Sequence, residues 1–236
     1  MLAQIAPRRL ATMSVSTSYP KDRITAAVLA GGRARRMGGA DKGLVPLAGE
    51  PMIAHTLRAL ESQAGRIVIN ANRHADRYRA IGNCPVVADP VIEDETSGEF
   101  APAIAFAGPL AGMASALKAA TTPLVLTVPC DSPLLDETLG ARLHAALEGE
   151  KAEIAVAHDG KRLQPTFALL TRSLLPDLLA FLDQGGRKID RWYATRHTAL
   201  ADFSDRIETF LNINTPEELE RLEAAMLERR AQGGES

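Results

Sequence analysis

Ile24-Thr-Ala-Ala-Val-Leu-Ala-Gly-Gly-Arg-Ala-Arg-Arg-Met-Gly-Gly-Ala-Asp-Lys-Gly43 is the stretch whose reading decides the fold. Ala26 to Ala30 is an apolar run too short for a free-standing helix and suited to a strand buried on both faces. Gly31, Gly32, Gly38 and Gly39 then remove Cβ atoms where the chain must turn and approach a ligand. Arg33, Arg35, Arg36 and Lys42 place four cations within ten residues of that turn. A strand ending in glycines, outward main-chain N–H groups and cations describes a cradle for phosphate. Two common cradles are excluded. Lys42 is followed by Gly43, so G-x-x-x-x-G-K-S/T is absent, and the glycines do not space as G-x-G-x-x-G. The competing reading is a glycine-rich surface turn with solvated arginines. The order of strand, paired glycines, Arg-Arg, paired glycines and lysine argues against it.

Outward from this segment, strands and helices alternate. Pro51, at the first helical position, opens a helix with Ile53, Leu57 and Leu60 on one face, and Gly65 ends it. Arg66 to Ala71 reads as a second buried strand that finishes in Asn70 and Asn72. His74 to Ile81 is a short polar helix, and Val86 to Ala88 a third strand with Asp89 at its exit. Gly108 to Gly112 starts a helix whose Leu110, Met113, Ala114 and Leu117 share a face. Leu124 to Val128 is a central strand closed by Pro129-Cys130-Asp131. A carboxylate there lies where open α/β sheets bind ligands, and its hard oxygens suit Mg²⁺. A turn cap before Pro133 is the alternative role for Asp131.

Beyond it, Asp136 to Leu147 is amphipathic, with Leu139, Leu143, Ala146 and Leu147 aligned. Glu153 to Ala157, the hairpin signal Asp159-Gly160 and Gln164 to Leu170 make a small β-rich addition. Gln164-Pro165-Thr166 reads either as edge-strand polarity or as part of a site. Ser173 to Gln184 is a leucine-rich helix capped at Gly185-Gly186, with Arg187-Lys188 directly after. Phe210 to Asn214 runs into Thr215-Pro216-Glu217-Glu218, a capping box with Pro at its first helical position, and Leu219, Leu222 and Met226 mark the helix face. The alternation implies an α/β fold: one Rossmann-like domain over 24–230, with a mostly parallel central sheet and helices on both faces.

A net charge of −2 gives no general field for polyanions, so a phosphate site must be a local cluster and nucleic acid is not expected as a partner. Cys84 and Cys130 form neither a C-x-x-C nor a Cys/His pattern and read as small core residues in a reducing compartment. No apolar run approaches the ~18 residues of a membrane span, and a cytoplasmic location is expected. Residues 1–23 carry basic residues without a sustained apolar stretch. They are left out of the fold as a disordered leader, a transit sequence or an over-called start with Met13 as the true one. Residues 231–236 read as a flexible tail. The acidic, Gly/Pro-punctuated segment Pro90 to Phe106 reads as a mobile loop, with a lid, a partner contact and an inert insertion all open.

Leu29-Ala30-Gly31-Gly32, Arg35-Arg36-Met37-Gly38-Gly39 and Asp41-Lys42-Gly43 together resemble the signature of nucleotidyltransferases that activate sugars, lipids and cofactors. More specifically, they resemble the molybdenum cofactor guanylyltransferases. Cytidylyl-transferring relatives usually carry Leu-Ala-Ala-Gly in place of this Leu-Ala-Gly-Gly. The likeness spans Ile24 to about Arg221 and includes Pro129-Cys130-Asp131-Ser132-Pro133 and Asn212-Ile213-Asn214-Thr215-Pro216-Glu217 in the same order. It implies GMP transfer from GTP to the terminal phosphate of molybdopterin, with Arg36, Lys42 and Asp131 catalytic. Asp131 would hold Mg²⁺. The substrate contacts it implies are Leu29, Ala30, Gly31, Gly32, Gly39, Lys42, Asn70, Asp89, Arg187, Lys188, Asn212 and Asn214, with Arg187 and Lys188 receiving the acceptor. The strands after Glu153 would form one wall of the acceptor pocket. Transient contacts with cofactor-biosynthesis proteins or apo-molybdoenzymes are expected. Cytidylyl or sugar-phosphate transfer, a non-catalytic pterin carrier and a nucleotide-sensing protein are the alternatives.

Overall fold

The computed structural model of the chain describes residues 19–31, 41–90, 108–213 and 215–233, the side chains of 229–233 excepted. Gly32, Arg36, Gly39 and Asn214, with the rest of the phosphate-cradle residues from Arg33 to Gly38 and nearly all of the Pro90–Phe106 segment, lie outside them.

Ile24–Leu29 (β1) is fully buried from Ile24 to Val28, as its apolar run requires, and is followed by the Pro46–Leu47 (β2) and Glu50–Pro51 (β3) hairpin. Next come Met52–Leu60 (α1), Arg66–Asn70 (β4), Ala75–Gly82 (α2), Val86–Val87 (β5), Pro109–Ala119 (α3) and Leu124–Pro129 (β6). Leu139–Glu150 (α4), Ile154–His158 (β7), Leu163–Thr171 (β8), Leu175–Asp183 (α5), Ile189–Tyr193 (α6), Thr198–Asp202 (β9) and Pro216–Gly233 (α7) complete the order. One seven-stranded sheet runs β5-β4-β1-β6-β8-β7-β9. All its pairings are parallel except those of β8, which lies antiparallel between β6 and β7.

Successive strand residues point to opposite faces, and two cores result. Ile24, Ala26 and Val28 of β1 and Leu124, Leu126 and Val128 of β6 face α1, α2 and α4. Ala27 and Val125 face α3, α5 and α6, where Trp192 and Tyr193 are buried. A third, small core joins Leu47 and Met52 to Ile213 and Leu222, fastening α7 over the β2–β3 hairpin. After β1 the chain goes to β4 and β5 on one side, then returns to β6 on the other. The carboxyl ends of β1 and β6 therefore flank a topological switch, the crevice where such sheets take ligands.

Four expectations need correction. Pro51 is not in the first turn of α1 but ends β3 at φ −56, ψ 138, just before the helix. The β-rich addition after Glu153 continues the main sheet as β7, β8 and β9. Within it β8 is interior, not an edge, and Pro165 is accommodated because the β7–β8 register shifts there, so its missing N–H interrupts no regular pair. Part of the leader belongs to the fold: the Tyr19 hydroxyl donates to the Gln63 carbonyl, Tyr19 packs on His144, and the Gly65 N–H donates to the Lys21 carbonyl at 2.8 Å. At the other end, α7 continues to Gly233, past the boundary set at 230. The capping box is as expected, with Thr215 N–H to Glu218 Oε2 at 3.1 Å and Glu218 N–H to Thr215 Oγ1 at 3.2 Å.

Candidate active site

The exits of β4, β5, β1 and β6 gather Asn70, Asp89, Lys42 and Asp131 among the polar residues singled out in the sequence. Leu29 ends β1, and its carbonyl accepts the Cys130 N–H at 3.2 Å, so the exits of β1 and β6 are adjacent. The buried Ala30 continues the chain, its N–H on the Asn70 carbonyl at 2.8 Å. Gly31 follows, directly over a polar cluster: a Cβ added there would lie 3.2 Å from both Asn70 Oδ1 and Asn72 Nδ2.

That cluster is closed on itself. Asn70 Nδ2 donates to Asp89 Oδ1 at 3.0 Å, Asn72 Nδ2 to Asp89 Oδ2 at 2.7 Å, and the Asp89 N–H returns a bond to Asn72 Oδ1 at 2.8 Å. On the other side of Asn70, a Cβ at Gly112 would come 2.5 Å from Asn70 Oδ1, and α3 is also tied to the Asp89 loop by Ser115 Oγ donating to the Ala88 carbonyl at 2.7 Å. Gly112 is thus required for close helix–strand approach. Asn70 and Asp89 are both candidates in the sequence, and the fold brings them into contact. Asn72 was noted only as a strand end, and the cue to it was its repetition two residues after Asn70.

Across the switch, Lys42 Nζ lies 2.9 Å from Asp131 Oδ2, with the two side chains only 20% and 14% exposed. Lys42 begins a 3-10 turn, Lys42–Leu44, and Asp131 follows the last residues of β6. Residues 89 apart in sequence are thereby brought to one point. The turn at Asp131 is held from behind: the Ile213 N–H donates to the Asp131 carbonyl at 3.2 Å, and Ser132 Oγ to Asn212 Oδ1 at 2.7 Å. Asn212 therefore acts on the Asp131 turn. Cys130 is a free, buried thiol; burial first, then the neighbouring Asp131 and Asp41 carboxylates, push its pKa up and keep it neutral.

Arg187 and Lys188 stand apart from this group in sequence and in the elements that hold them. Arg187 Nη1 donates to the Leu182 and Gly186 carbonyls, both at 2.7 Å, closing the end of α5, where Gly185 takes φ +80. Lys188 is the exposed residue preceding α6.

This chain is 48% identical over 204 residues to the molybdenum cofactor guanylyltransferase of Shewanella amazonensis, covering 86% of this chain and 97% of that one. It is 49% identical over 199 residues to the enzyme of the same name from Shewanella sp. strain W3-18-1, covering 84% and 95%. The family model described as the MobA-like NTP transferase domain matches residues 26–199. The chain belongs to the molybdenum cofactor guanylyltransferase family. Its fold recurs in the molybdopterin-guanine dinucleotide biosynthesis protein A of Archaeoglobus fulgidus, with TM-score 0.68 and 21% identity over 86% of this chain and 99% of that one. It recurs also in the 4-diphosphocytidyl-2C-methyl-D-erythritol synthase of Anaerococcus prevotii, with TM-score 0.65 and 14% identity over 88% and 97%. As a member of the guanylyltransferase family the chain is a nucleotidyltransferase. Among the described residues, no helix is long and apolar enough to cross a membrane.

Proposed function

We propose that the protein transfers GMP from GTP to the terminal phosphate of molybdopterin, forming molybdopterin guanine dinucleotide and pyrophosphate. An oxygen of the acceptor phosphate attacks the α-phosphorus of GTP. The bond to the bridging oxygen of the β-phosphate breaks, and pyrophosphate leaves with that electron pair. The attacking oxygen is already anionic, so no strong general base is needed. The barrier lies in bringing polyanions together, which fixed, poorly hydrated cations oppose most effectively.

Lys42 is such a cation, pre-aimed at the crevice by its pair with Asp131. The observation that carries the guanylyl reading is Gly31, where any larger residue would press on the Asn70–Asn72–Asp89 cluster. The Leu-Ala-Ala-Gly pattern of cytidylyl-transferring relatives would put an alanine in that position. We assign the cluster to the nucleoside, Lys42 and Arg36 to the triphosphate, and Arg187 and Lys188 to the acceptor phosphate.

Asp131 would hold a divalent ion, which we take to be Mg²⁺. Among the described residues no group of three or more His, Cys, Asp or Glu side chains forms a ligand cage. One carboxylate with substrate phosphates and waters is the ligand set that Mg²⁺ accepts, and among the described residues Lys42 engages only Oδ2 of Asp131. When bound, the ion would offset charge on the α-phosphate and the leaving pyrophosphate.

Pyrophosphate release measured with each of the four nucleoside triphosphates, with and without molybdopterin, tests the reading. Release is expected with GTP and only when the acceptor is present. Faster turnover with CTP would overturn the donor, and GTP or pterin binding without release would indicate a sensor or a carrier.

A further inference from the structure

Asp41 immediately precedes the Lys42–Leu44 turn, the place where an aspartate ordinarily accepts main-chain N–H groups of the turn it opens. It makes no such bond. Its carboxylate instead accepts the hydroxyl of Tyr78, a fully buried residue of α2, 37 positions away. The phenol stays protonated as a donor, because burial above all, and with it the bond to the Asp41 carboxylate, push its pKa up. Two residues on, Gly43 lies against the same side chain: a Cβ there would be 2.7 Å from Tyr78 Oη and 3.3 Å from the Cβ of Cys130. The residues on both sides of Lys42 are therefore fixed to one buried aromatic ring, and the second is also wedged against the residue before Asp131. A lysine side chain left to itself samples many rotamers, and holding its base removes part of that freedom before any ligand arrives.

We propose that Tyr78 is a positioning residue for nucleotide binding: through its bond to Asp41 and its contact with Gly43, it holds the Asp41–Lys42–Gly43 turn so that the Lys42 ammonium points at the triphosphate. This rests on the assignment of Lys42 to GTP made above. It also gives α2 a functional role. That helix joins β4 to β5, the strands that carry the Asn70–Asn72–Asp89 cluster, so one ring ties the phosphate contact to the nucleoside side of the crevice.

The test is a double-mutant cycle on the full-length protein, read as the dissociation constant for Mg·GTP without acceptor, with thermal melting to confirm folding. Tyr78→Phe keeps the ring and removes the bond. It is expected to weaken GTP binding about tenfold, the scale of losing one charge-assisted hydrogen bond, while leaving KM for molybdopterin within about twofold. In a Lys42→Ala background the same change should have less than about a twofold effect, because a residue acting through Lys42 has nothing left to position. Asp41→Asn, which keeps an acceptor oxygen in place, should bind GTP nearly as the parent does. Asp41→Ala breaks the same bond from the loop side and completes the cycle if Tyr78→Phe does not fold.

Equal effects of Tyr78→Phe in both backgrounds would overturn the proposal, as would full GTP affinity in Tyr78→Phe when Lys42→Ala has lost it. Undiminished GTP affinity in Lys42→Ala itself would remove Lys42 from the nucleotide site, and the role of Tyr78 with it.

Discussion

At the carboxyl ends of β4, β1 and β6, charged and amide side chains from distant elements bond to one another under cover, as Lys42 with Asp131 and Asp89 with Asn70 and Asn72 show. Around β7, β8 and β9 two ion pairs leave their acids about half in water. Arg142 holds Asp205, whose side chain is 54% exposed, and Arg196 holds Asp177, which is 44% exposed. Solvent screens the second set, and pairs of that kind contribute from nothing to about 1 kcal/mol. In the first set the surrounding protein replaces water as the medium, so each charge acts at greater strength on whatever enters the crevice. The difference teaches that charge counts alone do not locate a site. Shielding and convergence do.

Removing the charge of Asp131 would break this contrast most sharply. Asp131→Asn keeps shape and capping ability, so the melting temperature should change little. Pyrophosphate release should fall by about two orders of magnitude or more, as for loss of a strong transition-state charge contact, and added Mg²⁺ should restore part of it. Near-parental release at limiting Mg²⁺ would leave Asp131 as a turn residue like those of the β7–β9 half.

Arg187 and Lys188 sharpen the comparison, since they belong to the solvated half yet are assigned a substrate. Arg187→Ala together with Lys188→Ala should raise KM for molybdopterin by about one decade, the value of a partly solvated charge-assisted phosphate contact, with KM for GTP unchanged. A fall in stability without a change in either KM would mean that closing the end of α5 is all Arg187 does.

The smallest effect is expected at Asp205, where the Arg142 hydrogen bonds hold the carboxyl down to about 2. Its folded pKa is depressed, so its stabilisation is complete above the ordinary carboxylate value of about 4 and disappears as pH falls toward about 2. With Asp205 largely exposed, Asp205→Asn should cost under about 1 kcal/mol at pH 7 and nothing near pH 2, with pyrophosphate release intact. Urea melts at the two pH values check the sign.

Much of the first half was legible because its strands are buried on both faces, and continuous apolar runs such as Ala26 to Ala30 have few other uses. Asp131 could be placed because a strand end fixes its position without further packing. What the sequence hides is tertiary. Tyr78 in a polar helix gives no sign that its hydroxyl meets Asp41, a contact made only when α2 folds over the loop. The β2–β3 hairpin was unread because Ala48, rather than the usual asparagine or aspartate, takes φ +52 ahead of Gly49 at φ +87. Pro165 suggested an edge because a register shift cannot be seen in one strand alone. The cluster under Gly31 was half legible: Asn70 and Asp89 are both candidates in the sequence, but their mutual bonding and the part of Asn72 do not show there.

The parallel pairing of β1 with β6 also governs when the site can exist. Ile24 is aligned with Leu124, so the strand that begins the sheet waits for another hundred residues of synthesis before its second neighbour is made. Contacts of such sequence separation are slow to form, because a long loop must close before they return any energy. A nascent chain that has emerged only as far as Ala120 has β1, β4 and Lys42 but no partner carboxylate for that lysine, and its β1 edge is open to other strands. Assembly of the crevice is therefore a late event on the ribosome.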